Sequence, residues 1–147
     1  MDLSTDPDFF ALLTGSHRRL VGVPLAPEGA DAAWLYADAP FAVLAHDGGA
    51  DPRFVYANRA AQAAFGYARE EIVGLPSRLS AEAPDRAERQ RLLDAVARDG
   101  FVTGYAGIRV RKDGRRFALK GGTVWQLIDE EGRIQGQAAT FPLPAAV

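Results

Sequence analysis

The chain has 147 residues, no cysteine, and a formal net charge of −2 from 17 basic and 19 acidic residues. That length suits one domain with a core large enough to need no disulfide or metal staple. The lack of a thiol excludes a disulfide framework, a thiolate metal site and a cysteine nucleophile, and near-neutral charge argues against a wholly basic nucleic-acid binder. Hydrophobic residues at 48% and charged residues at 24% describe an ordinary globular composition. The longest uncharged stretch, Ile134–Val147, is 14 residues long and carries Gln, Gly, Thr and Pro, too short to span a bilayer. Asp2 and Asp6 stand where a signal peptide would be basic, so the expected location is the cytoplasm.

Residues 1–39 read as a helical extension and 40–147 as the main domain, with Pro40 at the boundary. Asp6 is suited to cap a first helix, Pro7 to open it, and Phe9, Leu12, Leu13 and Leu20 recur at near-helical spacing. Gly15 leaves open one kinked helix or two short ones. A second short helix over Ala30–Ala37 presents Trp34, Leu35 and Tyr36. These residues, with Phe9, Leu12 and Leu13, make the extension apolar on one side, for packing on its own sheet or on a dimer partner.

From Phe41 the period changes to two. Phe41–His46 and Arg53–Ala57 predict two strands joined by a turn-rich linker. Asn58 predicts an N-cap for a helix over Arg59–Phe65, closed by Gly66. A further helical turn over Glu70–Val73 ends at Gly74. After a loop with Pro76 and Pro84, Asp85 and Glu88 have capping-box spacing. The helix they open shows Leu92, Leu93 and Val96 on one face and the pairs Asp85–Arg89 and Asp94–Arg98 on the other. Gly100 ends it. Thr103–Arg111 and Arg115–Lys120 read as strands about a type I′ turn at Asp113-Gly114. Gly121-Gly122 signals a bulge or bend before Thr123–Ile128, and Glu130-Glu131-Gly132 turns into Ile134–Phe141. The fold class is α+β, a five-stranded antiparallel sheet with short helices on one face and an N-terminal helical extension.

Phe54-Val55-Tyr56-Ala57-Asn58-Arg59-Ala60-Ala61, followed by Phe65-Gly66-Tyr67 and Glu70-Glu71-Ile72-Val73-Gly74, resembles the core of a PAS domain, and Arg111–Arg115 matches the next hairpin of that family. Ser16–Leu20, Trp34-Leu35-Tyr36, Ala39-Pro40-Phe41 and Gly74–Ser80 resemble the PAS-like MEKHLA domain family. The resemblance implies a small sensor or interaction domain, with a cavity between the inner sheet face and the middle helices, and no known catalytic residue. Ala68 departs from the pattern, standing where PAS domains often place a capping Ser or Thr.

PAS-like domains bind haem, flavin, other chromophores, small acids or nothing, and the residues restrict these choices. Without cysteine no cysteinyl–flavin adduct forms, whereas non-covalent flavin or another small molecule stays open. Haem is disfavoured, because the helix before the third strand has no histidine. His46 reads as a turn residue beside Asp47, and His17 as packing within the extension. Metal is disfavoured for the same shortage of ligands. Tyr56, Phe65, Tyr67, Val96, Ile108, Phe117 and Trp125 are candidate pocket residues, with Gln126 and Gln137 (and Gln135) as amides able to read a flavin or purine edge. The face of Trp125 depends on whether Gly121-Gly122 shifts the alternation. Arg109, Arg111, Lys112, Arg115 and Arg116 cluster at the last hairpin, where charges protecting a sheet edge explain them better than nucleic-acid contact. The expected function is a cytosolic sensor or interaction domain signalling through association with a protein or a second copy. The alternatives are an enzyme or carrier using the same cavity and, more weakly, a nucleic-acid-associated regulator.

Overall fold

The computed structural model describes residues 2–81 and 83–143, the side chains at 83–85 excepted. Helices α1 (Pro7–Val21) and α2 (Ala32–Ala37) precede strands β1 (Phe41–Asp47) and β2 (Phe54–Ala57). Then come α3 (Arg59–Phe65), α4 (Arg69–Ile72), a 3₁₀ turn (Ser77–Ser80), α5 (Ala83–Asp99) and strands β3 (Phe101–Val110), β4 (Arg116–Ile128) and β5 (Ile134–Pro142). The five strands form one antiparallel sheet in the order β2-β1-β5-β4-β3. The helical excursion between β2 and β3 carries the chain from one edge of the sheet to the other.

Local signals explain most boundaries. The Asp6 carboxylate accepts from the N–H of Asp8 at the start of α1, which runs unbroken through Gly15. Asn58 caps α3 and Gly66 closes it in the left-handed region. At α4, Ala68 offers no side-chain cap, but Glu71 reaches back to its N–H at 2.9 Å, half of a capping box. The expected Asp85–Glu88 cap and Asp85–Arg89 pair lie outside the described residues. The turn after β3 differs from the expected type I′. Gly114 N–H bonds to the Arg111 carbonyl and Gly114 alone has positive φ, as in a three-residue loop closed by a glycine bulge.

Both faces of the sheet are buried. On the outer face α1 and α2 bring Leu13 and Leu35 against Val43, Ala45, Tyr56, Trp125, Leu127 and Ala138. Phe9, Leu12, Trp34 and Tyr36 complete this layer half-buried, so the apolar stripe of the extension lies on its own sheet. On the inner face Phe54, Phe65, Leu119 and Phe141 form one cluster, and Leu92, Val96 and Val124 a second under α5. Segment 74–76 lies along β2, with Phe54 N–H bonded to Leu75 and Gly74 N–H bonded to Phe54, which covers that edge.

Three bulges decide which side chains face which layer. Between β1 and β2 the register shifts after Ala45, so Phe54 opposes His46 on the inner face while Tyr56 opposes Ala45 on the outer. On β3 an extra residue falls between Val102 and Tyr105, and on β4 one falls between Leu119 and Gly122. Gly104 and Gly121, both with positive φ, occupy these two offset bulges. Leu119 therefore faces inward, as do Gly122 and Val124, whereas Trp125 and Leu127 face α1. The alternation reverses at Gly121, as a one-residue slip requires.

Candidate functional site

Between the inner sheet face and α5 lies a half-open cavity of about 80 Å³. Its walls come from α3, the 3₁₀ turn and α5 and from all five strands: Leu44 and His46 of β1, Phe54 of β2, Phe65 of α3, Ser77 and Ser80 of the 3₁₀ turn, Arg89, Leu92 and Leu93 of α5, Tyr105 and Arg109 of β3, Leu119 and Val124 of β4, and Gln137, Ala139 and Phe141 of β5. At the strand ends an open groove of about 340 Å³ adjoins it, between α5 and the loop after β1, and shares His46, Leu93 and Gln137 with the cavity.

The 3₁₀ turn is positioned by its backbone: Ser77 N–H bonds to the Pro52 carbonyl, and Ser80 Oγ donates to the Ser77 carbonyl. This presents Ser77 Oγ to two buried partners. Arg89 Nη2 donates to it, and His46 Nδ1 lies 2.9 Å away. A hydroxyl accepts twice and donates once, so Ser77 Oγ takes the guanidinium and serves either tautomer of His46. Burial lowers the His46 pKa to about 4, aided by the positive charge of Arg89 and opposed by Asp47 and by a weak interaction with the Gln137 amide. Burial, then repulsion from Arg109, lowers Arg89 itself to about 10, so it stays charged at neutral pH.

Arg109 is buried too, but compensated. It donates to the Ile108 carbonyl and to Tyr105 Oη at 2.7 Å, and lies 3.8 Å from Glu88, which also accepts from Tyr105. Two glutamines clamp α5 to the sheet: Gln126 donates to the Ala97 carbonyl and Gln137 to the Leu93 carbonyl. The other end of Gln137, Oε1, is buried without a hydrogen-bond partner, although His46 stands opposite it across the β1–β5 pair.

Of the nine pocket candidates, Phe65 and Gln137 line this cavity. Phe117 stacks edge-on against Phe65 at 5.1 Å, Tyr67 packs at the rim of the same cluster, and Val96 supports α5 on Val124. Gln126 is on the inner face but lines the groove instead. Tyr56 and Trp125 lie on the outer face because of the bulges. Trp125 Nε1 donates to Ser16 Oγ, and His17 meets its ring edge-on at 4.8 Å. Ile108 is also outward-facing, 38% exposed, because the extra residue at Gly104 reverses the alternation along β3 and puts Tyr105, Gly107 and Arg109 on the inner face. Gln135 bonds to Asp129 in the exposed β4–β5 turn. His46, read as a turn residue, is a buried member of β1, since that strand runs one residue further. His46, Ser77, Ser80, Arg89, Tyr105 and Arg109 were not among the candidates, and Arg109 belonged to the surface basic cluster. In that cluster Arg111 donates to the Ala63 and Ala64 carbonyls at the end of α3, Lys112 pairs with Glu71, and Arg115 pairs with Asp113.

The Ser77–His46 pair is a poor nucleophile and base. Ser77 Oγ is held by Arg89 as well, and an imidazole of pKa about 4 is far from the neutral range in which general bases work best. Among the described residues no three His, Asp or Glu side chains come together as a metal site. The cavity is also well below the roughly 300–1,000 Å³ of pockets for drug-sized ligands, so a flavin ring system does not fit it as it stands. With no cysteine, a flavin could form no cysteinyl adduct here.

Solved structures share this architecture. The PAS domain of a protein from Colwellia psychrerythraea matches with a TM-score of 0.65 at 18% identity, covering 74% of this chain and 89% of that one. An RNA-binding light-oxygen-voltage receptor matches with a TM-score of 0.64 at 28% identity over 84% of this chain, and the blue-light activated histidine kinase EL346 of Erythrobacter litoralis with 0.62 at 22% over 76%. This chain spans 36% of the length of each of the latter two. No curated protein matches the chain. No helix among the described residues is long and apolar enough to cross a membrane. The fold is that of PAS and light-oxygen-voltage domains, and the MEKHLA domain model matches residues 7–143. With nearly its full length inside that match, the chain belongs to the MEKHLA domain family.

Proposed function

We propose that the chain is a cytoplasmic sensor or interaction domain that binds a small molecule in the cavity under α5 and reports occupancy by associating with a partner protein or a second copy of itself. The observation that carries this reading is the half-open cavity at the junction of α5, the 3₁₀ turn and the inner sheet face, with the buried Gln137 Oε1 short of a close hydrogen-bond partner beside it. A buried polar atom without a partner costs about 1–3 kcal/mol, which a ligand group or ordered water recovers. The function is binding rather than turnover, a reading supported by the lack of an activated nucleophile facing the cavity among the described residues.

Gln137 ties the cavity to α5 through the Leu93 carbonyl, and its neighbour Ala138 opposes Trp125 on the α1 face. A ligand that engages Gln137 acts at once on α5 and, through that strand pair, on the packing of Ser16 and His17. Signalling then requires the ligand to prefer one arrangement of these helices over another. Native mass spectrometry of the purified chain, with backbone amide NMR during titration with a panel of small metabolites, tests the reading. A retained mass, or saturable shifts at Leu93 and Gln137, is expected. An empty chain whose cavity signals answer to no compound overturns it.

A further inference from the structure

We infer that the ligand of this cavity is a small oxyanion that also carries an O–H or N–H donor, such as a short hydroxy acid or hydrogen phosphate, with Arg89 as its principal anchor. This rests on the reading of the cavity as a ligand site and goes on to specify the chemistry it selects.

The argument begins with charge. Arg89 is 7% exposed and lines the cavity. A guanidinium has five N–H donors, and among the described residues Ser77 Oγ is its one hydrogen-bond acceptor. No described carboxylate forms an ion pair with it. The second guanidinium of the cavity, Arg109, adds repulsion, and the carboxylate that offsets Arg109, Glu88, is already shared with Tyr105. Asp51 contributes a distant attraction but is bonded to Arg78. A buried cation with so few described partners is costly, and an oxyanion that presents two oxygens to its open N–H groups removes that cost.

The second requirement comes from Gln137. Its Nε2 donates to the Leu93 carbonyl, which fixes the amide orientation and leaves Oε1 with no donor at full hydrogen-bond distance, only the His46 ring opposite drawing on it weakly. A bare carboxylate would not satisfy it, whereas a hydroxyl, an ammonium or the proton of hydrogen phosphate would. The third limit is size: about 80 Å³ admits only a few heavy atoms, and the adjoining groove at His46 and Gln137 gives them a way in.

The test is a titration of the whole chain, followed by amide and imidazole NMR, with lactate, inorganic phosphate, propionate (no hydroxyl) and lactamide (no charge). Lactate or phosphate is expected to shift Ser77, Gln137 and the His46 ring saturably, and which of them binds distinguishes the organic acid from the inorganic source. Propionate is expected to bind at least 3-fold more weakly than lactate, and lactamide and Arg89→Met at least 10-fold more weakly (about 1.4 kcal/mol). Arg89→Lys, which keeps the charge but loses the planar fork, serves if the methionine variant does not fold, with an expected loss of at least 3-fold. Equal binding of lactamide and lactate, or undiminished binding to both Arg89 variants, overturns the inference while the ligand site stands. If neutral metabolites shift the cavity signals and neither anion does, the inference also falls alone. If nothing shifts them, the ligand site falls with it.

Discussion

Asn58 offers the sharpest stability test, because one side chain closes three elements together. It is fully buried. Oδ1 accepts from Val43 N–H at 2.9 Å and Ala61 N–H at 3.0 Å, and Nδ2 donates to the Leu35 and Phe41 carbonyls at 3.1 and 3.0 Å. Asn58 N–H also bonds to the Val43 carbonyl, so backbone and side chain together extend the β1–β2 ladder by one rung while capping α3. Asn58→Ala strands two N–H groups at about 1–2 kcal/mol each and leaves two carbonyls short of a donor at about 0.5 kcal/mol each. The expected loss is about 4 kcal/mol, a large share of the roughly 5–15 kcal/mol that a domain possesses. Asn58→Asp keeps both acceptor roles but aims an anionic oxygen at two carbonyls. Its folded carboxyl is therefore pushed above the unfolded value, so the variant regains stability as pH falls through that raised pKa and is weakest at neutral pH. Urea unfolding followed by circular dichroism reads both, as a lower midpoint at unchanged slope. A loss below about 1 kcal/mol for Asn58→Ala, or no acid recovery for Asn58→Asp, would refute the assignment of this side chain as the junction.

Three more expectations rest on single sites. His46 has a folded pKa of about 4 against 6.5 unfolded, so its contribution is complete above pH 6.5 and is lost as pH falls towards 4, roughly 2–3 kcal/mol by pH 4.5. Because the His17 pKa is also lowered by burial, the measurement is the wild-type slope of stability against pH minus that of His46→Gln, and equal slopes would contradict it. Ser16→Ala removes the acceptor of Trp125 Nε1 and is expected to cost about 1–3 kcal/mol in urea unfolding; a neutral result would mean the indole finds another acceptor. Gly121→Ala meets only ordinary contact with the Pro142 ring at 3.8 Å but a left-handed φ of 65°, for about 1 kcal/mol, while at Gly136 an added Cβ would stand 2.1 Å from the His46 carbonyl. The second variant is expected to unfold at a much lower temperature than the first, and the reverse order would show that the β1–β5 approach is looser than described.

The order of elements was legible because it is written in local chemistry. Asp6-Pro7 opens α1, Asn58 and Gly66 bracket α3, and two glycine-containing turns join the last three strands, each through contacts within a few residues. The faces were not legible, because they are set by pairing with distant strands. Phe54 and Tyr56 are two apart and should share a face, as should Phe117 and Trp125 on the simple alternation. A bulge intervenes in each case and sends the second residue to the opposite layer. Gly121-Gly122 announced the second bulge, but a glycine pair does not say whether it adds a residue or only bends the strand. Nothing in Val55 announced the first.

The polar half of the site was missed for a different reason, and Arg89 shows it. On a helix surface an arginine three or four residues from carboxylates reads as a solvated ion pair, and that reading placed Arg89 opposite Leu92, Leu93 and Val96. Yet 89, 92, 93 and 96 stand at i, i+3, i+4 and i+7, which is one helical stripe. By geometry alone Arg89 belongs with the buried leucines, and the structure puts it there. Arg109 follows the same logic on β3, where Tyr105, Gly107 and Arg109 alternate onto the inner face. What burial then demands differs between the two: Arg109 has Glu88 and Tyr105 within reach, whereas among the described residues Arg89 has a single serine as acceptor. A cation on an apolar stripe is thus visible in the sequence as a departure from pattern. Only the folded chain reveals that, among the described residues, no carboxylate pairs with it, and that imbalance is the basis for the preference inferred for the cavity.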